Sequence, residues 1–360
     1  VGQRGLVVVF DEIAAAMKRV RRNVAQPVDP VRRALAVQVV IGIQPERARD
    51  IGPVQFGKDL RIAEAAIQDQ RWPGVAVGQY DQVVGLHHGQ DTDHYLKKGY
   101  RVVAFEADPA NAQFCRERFA AAIADGRLTI VEGAITESYI ESEQGRTVKF
   151  YRNEHHTLWG STAEDWAVRN EVLGTTNEII SVPAIDFSEQ VERYGVPHYL
   201  KADIVGSEVI CLRALLRFEN KPDYISIRSE KIVFRRLEYE FDLLEQLGYD
   251  QFKAIKQDFD HIRAELPAEN GDRFHTFEEG ASGPFGEETP GRWRTRAEVL
   301  KQYKKIFVKY WLFGDYSYLI QTEGGRRLIS NLERIVRRSI PGWYDTHARH
   351  SSFEGGSPSV

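Results

Sequence analysis

The sequence predicts an α/β fold built on a mostly parallel sheet with helices on both faces. Three observations carry this. From about residue 76 to 261, short β-branched or aromatic runs alternate with segments of helical period. The junctions hold turn and cap residues such as Asp108-Pro109, Asp125-Gly126 and Lys221-Pro222. The chain of 360 residues is 42% hydrophobic and 28% charged, which supplies a sizeable core and excludes wholesale disorder.

Taken in order, a strand near Tyr80 runs into a turn containing Gly85 and Gly89, and a helix follows. Tyr100–Phe105 reads as a buried strand entered through Gly99. Asp108 caps a helix that starts with Pro109, carries Ala112, Cys115, Phe119 and Ala122 at helical spacing, and stops at Asp125-Gly126. Strands are expected at Leu128–Val131, Thr147–Tyr151 and Glu178–Pro183, with an irregular stretch around His155–Thr162 and a helix near Ala163–Val172. His198–Ile204 is the next strand. Ser207 then caps a helix with Val209, Leu212 and Leu216 on one face. Tyr224–Ile227 is a strand, and Val233, Leu237, Phe241 and Leu244 form a helical stripe that Gly248 ends. Beyond residue 262 the alternation stops, leaving a long loop over Gly271–Gly291 and two helices near Arg296–Leu312 and Gly325–Arg338.

The expected organisation is an atypical segment over 1–75, an α/β domain over 76–261 and a loop with a helical extension over 262–360. Residues 1–75 contain no tyrosine, although the chain has 15, and show no clean period. They read as a poorly ordered leader or a mis-assigned upstream translation. A net charge of −4 argues against coating nucleic acid or an anionic membrane. Arg326, Arg327, Arg334, Arg337 and Arg338 read as the solvated face of a docked amphipathic helix. Two cysteines make no disulfide framework and suit a reducing, cytoplasmic setting. No apolar run approaches the roughly 20 residues of a membrane span.

The chemistry points to the first strand–turn–helix. Gly85 and Gly89 let the backbone approach a ligand closely. Glu106, ending the second strand, is placed to accept hydrogen bonds from ribose hydroxyls. A dinucleotide site has G-x-G-x-x-G, whereas this turn has Gly85-x-x-x-Gly89. The departure favours S-adenosyl-L-methionine, which has no pyrophosphate, over a nicotinamide-dependent oxidoreductase. His87, His88, Asp91, Asp93 and His94 crowd together but lack a tight metal-ligand spacing, so they read as a polar loop and no metal is expected. Trp159 and Trp166 are aromatic candidates for either core packing or stacking on an acceptor.

The run VGLHHGQDT…YLKKGYRVVAFEADP resembles the cofactor motifs of the FkbM-type methyltransferases. So do YRNEHHTLWGST (Tyr151–Thr162), YGVPHYLKADIVGSE (Tyr194–Glu208), PDYISIRSEK (Pro222–Lys231) and PGWYDTHA (Pro341–Ala348). The resemblance implies a Rossmann-like class I methyltransferase fold with a helical C-terminal extension. It also implies methyl transfer from S-adenosyl-L-methionine to a hydroxyl of a sugar or natural-product acceptor. By position, Gly85 and Gly89 line the cofactor's methionine end, Glu106 holds the ribose, Ala107 with Asp108 flanks the adenosine, and His87 and Ala134 are further cofactor-binding candidates. Asp203 faces the reacting centre as the first candidate to take the acceptor's proton, with His156 as a second. The implied partner is a small-molecule or glycan acceptor, with the oligomeric state open.

Three acidic positions of the family pattern carry Val83, Val205 and Arg228 here. Fewer carboxylates beside a cationic sulfonium weaken its binding, and an inward Arg228 would repel it. These substitutions leave a second reading, a non-catalytic member of the same fold.

Overall fold

Strand β1 (Tyr80–Val84) is central because both its faces are buried, and its neighbours on either side are parallel to it. The computed structural model describes residues 80–142, 145–257, 263–266, 274–314, 317, 320, 322–336 and 340–353. The expectations for residues 1–75, and those for Arg337 and Arg338, lie outside them.

After β1 come α1 (Gln90–Lys97), β2 (Arg101–Glu106), α2 (Pro109–Arg118), α3 (Ala120–Ala124) and β3 (Leu128–Glu132). The Asp108 cap forms as expected, its side chain accepting the Ala110 N–H at 2.9 Å. A smaller antiparallel-rich sheet then interrupts the alternation. It is built from β4 (Ala134–Ile135), β5 (Ile140–Ser142), β6 (Gly145–Asn153) and β7 (Asn177–Ile185), with α4 (Glu164–Val172) between the last two. The alternation resumes with α5 (Phe187–Tyr194), β8 (Tyr199–Ala202), α6 (Glu208–Leu215), β9 (Tyr224–Arg228), α7 (Phe234–Gln246) and β10 (Tyr249–Lys256). A hairpin of β11 (Arg263–Glu265) and β12 (Phe274–Thr276), helices α8 (Arg296–Phe313) and α9 (Glu323–Val336), and β13 (Tyr344–His350) complete it.

The main sheet has seven strands in the order β10-β13-β9-β8-β1-β2-β3. Its middle is parallel, and β13 inserts antiparallel to both β9 and β10. Residues 344–350, expected within a helical extension, therefore complete the sheet. Helix α5, strand β10 and the short strands β4, β5, β11 and β12 were not legible in the sequence either. Helix α5 is started by Asp186, whose side chain accepts the Ser188 N–H, and β10 follows directly on Gly248. Parallel strands buried on both faces need near-continuous apolar runs, as β2 and β8 show.

One core packs α5, α6, α7 and α8 on one face of the sheet, centred on Leu200, Leu212, Phe241 and Phe252. The other face buries Tyr95, Phe119, Leu128 and Tyr199 beneath α1 to α3. The expected loop over 271–291 is not a free excursion where it is described. Phe285 stacks on Tyr199 with ring centroids 3.9 Å apart, which holds the loop against the sheet. Helix α8 begins with a capping box between Thr295 and Glu298. No helix among the described residues is long and apolar enough to cross a membrane.

Candidate active site

The strand order reverses at β1, whose parallel neighbours β2 and β8 come from opposite halves of the chain. Ligands of open α/β sheets bind outside the carboxyl ends of the strands at such a point. A cavity of about 300 Å³ lies there, lined among others by Gly85, Glu106, Asp203 and Arg228. Gly85 has φ +92°, and a Cβ on it would sit 2.3 Å from the Asp203 carbonyl oxygen. Only glycine lets the end of β1 pass this close to the end of β8.

Glu106 is fixed by two backbone donors. The His87 N–H donates to Oε2 at 2.7 Å and the Asp108 N–H to Oε1 at 2.9 Å. The Asn111 side chain donates to the carboxyl as well, and the acceptor capacity left over faces the cavity, as a ribose hydroxyl needs. Burial pushes the carboxyl up to about 7 against these hydrogen bonds. His87 crosses the mouth, its Nε2 2.8 Å from Thr157 Oγ1 on the short 3₁₀ turn Thr157–Trp159. Burial and the neighbouring His88 lower its ring to about 4, so His87 is neutral at physiological pH.

A buried charge network forms the floor. Lys201 Nζ lies 3.1 Å from Asp203 Oδ2 and 3.4 Å from Asp91 Oδ2, and Arg228 Nε lies 3.6 Å from Asp203 Oδ1. Burial alone would raise Asp203, but Lys201 and Arg228 outweigh it and hold the carboxyl well below the usual range. The same carboxylates keep Lys201 charged although it is buried. Asp345 moves the opposite way, raised by burial and by the charge of Asp203. It receives a 2.6 Å hydrogen bond from Gln257. Asp203 is therefore held as an anion with little basicity, a character that suits facing a cation better than taking up a proton.

The expected site residues divide into two sets. Gly85, His87, Glu106, Ala107, Ala134 and Asp203 all line the cavity. Gly89, Asp108 and His156 do not. Gly89 caps α1 in the left-handed conformation, and a Cβ there would meet the Phe119 ring at 2.3 Å, so its role is helix packing. Asp108 caps α2 and is clamped by Arg152 through two 2.7 Å hydrogen bonds. His156 is exposed, with its ring 4.3 Å from that of Trp159. Ser207 sits at the N-cap of α6 without a capping bond and lines the cavity instead.

The three replaced acids also separate. Val83 is 1% exposed inside the sheet core, away from the cavity. Val205 lines the cavity in a left-handed backbone conformation (φ +35°) that a β-branched residue rarely adopts. Arg228 does point inward, and its ion pair with Asp203 absorbs the charge that would otherwise repel a cation.

Sequence reasoning missed Asp91, Lys201, Trp343 and Asp345. A lysine inside the apolar strand YLKA was the available signal for Lys201. Asp91 accepts hydrogen bonds from the Ser282 and Gly283 N–H groups, a contact between distant segments that no local pattern announces. The histidines of the HHGQDTDH run diverge: His87 faces the cavity, whereas His94 packs against His275 and Phe277. Among the described residues, no three His, Cys, Asp or Glu side chains converge on a point that could hold a metal ion.

The family model described as the methyltransferase FkbM domain matches residues 77–274, more than half of the chain. No curated protein is significantly similar in sequence. Among solved structures, a precorrin-6y C5,15-methyltransferase from Geobacter metallireducens is 13% identical with a TM-score of 0.29, covering 66% of this chain and 93% of that one. An O-methyltransferase from Bacillus cereus in complex with SAH is 14% identical with a TM-score of 0.28, covering 67% and 90%. These likenesses are distant, and the assignment rests on the matched domain and on the motifs placed around the cavity. The chain belongs to the FkbM methyltransferase family.

Proposed function

We propose that the protein is an S-adenosyl-L-methionine-dependent O-methyltransferase acting on a hydroxyl of a sugar or natural-product acceptor. The observation that carries this is the Glu106 carboxyl, pinned by two backbone N–H groups beside the Gly85 turn at the switch point. Its remaining acceptor capacity suits a ribose hydroxyl, and Ala107, Ala134 and Phe150 offer apolar wall for an adenine. Asp203, ionised and facing the cavity, suits a sulfonium. The cofactor supplies a methyl carbon already activated on that sulfonium. The protein's part is then to hold donor and acceptor in line, which can supply about 7–11 kcal/mol of the barrier.

Thermal denaturation with S-adenosylmethionine, S-adenosylhomocysteine or NAD tests the reading. A ligand at 100 times its dissociation constant adds about 2.7 kcal/mol. At about 2–4 °C per kcal/mol for a domain of this size, the midpoint rises by roughly 5–11 °C. No response to either sulfur compound would overturn the proposal, and a response to NAD alone would point to an oxidoreductase. Binding without methyl transfer to any hydroxyl would favour a non-catalytic member of the family.

A further inference from the structure

A second cavity, about 700 Å³ and within the range of small-molecule sites, adjoins the first. The two share Arg228 and Trp343. The loop after β8 divides them, with Val205 and Ser207 on the first cavity and Gly206 and Glu208 on the second. Aromatic rings wall the second cavity, among them Trp166, Phe307, Tyr310 and Trp311. Trp311 is 77% exposed, a large apolar ring kept at the surface with no core to fill.

The end next to the first cavity is polar. The Arg228 guanidinium carbon lies 4.3 Å, and the Lys231 ammonium 3.6 Å, from the centre of the Trp343 ring. Glu208 is 5% exposed, and its Oε2 accepts the Gly206 N–H at 3.0 Å. Its Oε1 is buried and accepts no hydrogen bond among the described residues, and the buried Arg228 Nε, facing Asp203 Oδ1 at 3.6 Å, makes no hydrogen bond of normal length. A buried acceptor and a buried donor at the junction of two cavities call for a ligand carrying both functions.

We propose that the second cavity holds the methyl acceptor, and that this acceptor is a phenol-class molecule. Its aromatic body lies between the rings and its hydroxyl between Arg228 and Glu208. The inference rests on the methyltransferase reading above and narrows the acceptor to the natural-product side. Aromatic walls reward burial of a flat apolar body, and the charged groups along them are engaged with one another, Arg236 facing Asp165 at 4.0 Å and Glu230 at 3.9 Å, which leaves a polyol's hydroxyls fewer partners. Cations beside the hydroxyl favour its ionised form, which a phenol reaches far more readily than an alcohol. The phenol O–H bond breaks, the proton bonds to the Glu208 carboxylate, and the oxygen keeps the electron pair; with the sulfonium bound, that pair would form the new O–C bond as the carbon–sulfur bond breaks and its electrons return to sulfur, leaving S-adenosylhomocysteine. Arg228 and Lys231 favour the anion of Glu208 while Asp203 and Glu240 oppose it. Burial pushes Glu208 up to about 7, in reach of a proton at neutral pH.

The test titrates 2-naphthol calorimetrically into the full chain saturated with S-adenosylhomocysteine, with methyl α-glucopyranoside as the sugar control. A spectroscopic pH titration then reads the ionisation of the bound naphthol. The naphthol is expected to bind at least about tenfold more tightly than the glucoside. Its bound hydroxyl should ionise at least about one pH unit lower than the free compound. Arg228→Gln should remove that shift, and Trp311→Ala, at an exposed site that tolerates change, should weaken naphthol binding by about threefold or more. Any of three results overturns the proposal: no naphthol binding, an unshifted hydroxyl, or both variants behaving as wild type. Failure of S-adenosylhomocysteine itself to bind would overturn the methyltransferase reading, and this inference with it. A failure with that compound bound overturns the phenol alone.

Discussion

Replacing Lys201 with methionine keeps the shape of the side chain and removes the cation on which the floor of the site depends. Lys201 is 3% exposed, with Asp203 at 3.1 Å and Asp91 at 3.4 Å. Removing one partner of a buried ion pair leaves an uncompensated charge and costs about 3–5 kcal/mol. For a domain of this size that is roughly 6–20 °C of melting temperature. The pH dependence makes the test specific. In the wild type the Asp203 carboxyl is held below its unfolded value. Its contribution is therefore present at any pH above about 4 and lost only as pH falls further. Without Lys201 the buried carboxyls rise, protonation relieves them, and the variant recovers as pH falls. Urea unfolding followed by circular dichroism should thus show a gap between variant and wild type that is wide at pH 8 and narrower at pH 5. A loss under about 1 kcal/mol, the level of an exposed ion pair, would refute the reasoning. So would a gap that does not change with pH.

Four further outcomes follow from the same geometry. Glu106→Gln sets an amide NH₂ against one of the two backbone N–H groups, costing about 1–3 kcal/mol of stability. It should also weaken S-adenosylhomocysteine binding by about tenfold or more in calorimetry, and undiminished affinity would remove Glu106 from the ribose. Gly85→Ala combines a left-handed backbone with a Cβ 2.3 Å from the Asp203 carbonyl oxygen. It should cost about 2–6 kcal/mol in chemical denaturation. Glu106 and Glu208 hold their protons more tightly folded than unfolded, so each pulls stability down as pH rises from about 4.5 to 7, while buried His87, His94 and His347 pull it up. Glu208→Gln should therefore gain stability relative to the wild type in urea unfolding as pH rises over that window, and a difference that does not change with pH would contradict the burial of Glu208. His156→Ala, outside the cavity, should leave S-adenosylhomocysteine affinity within about twofold, and a larger loss would return His156 to the site.

Much of the cofactor side was legible because it is local. Glycine in the turn after β1 and an acid closing β2 sit within one strand–turn–helix–strand unit, where spacing alone brings them together. The same locality misled at Gly89, since a glycine that seats a helix against Phe119 looks identical in sequence to one that admits a ligand. Asp203 was legible as a site residue but not in its electrostatic character. That is set by Lys201 two residues earlier and Arg228 on the next strand, with Asp345 from the far end of the chain acting on both. His156 was expected as a second candidate to take the acceptor's proton, yet in the structure its neighbours Thr157 and Trp159 line the cavity and His156 does not.

By itself the sequence determined the alternation of strand and helix, the capped turns and the motifs that mark the family, because each depends on residues within a turn or two of one another. Only the tertiary structure decided three things. Residues 344–350 enter the sheet between β9 and β10. The inward Arg228 meets an anion in Asp203. A second, aromatic cavity shares a wall with the first. Each depends on segments about 20 to more than 250 residues apart, and the pairing of distant charges and strands is settled by burial and Coulomb energy in the folded chain, quantities no local pattern encodes.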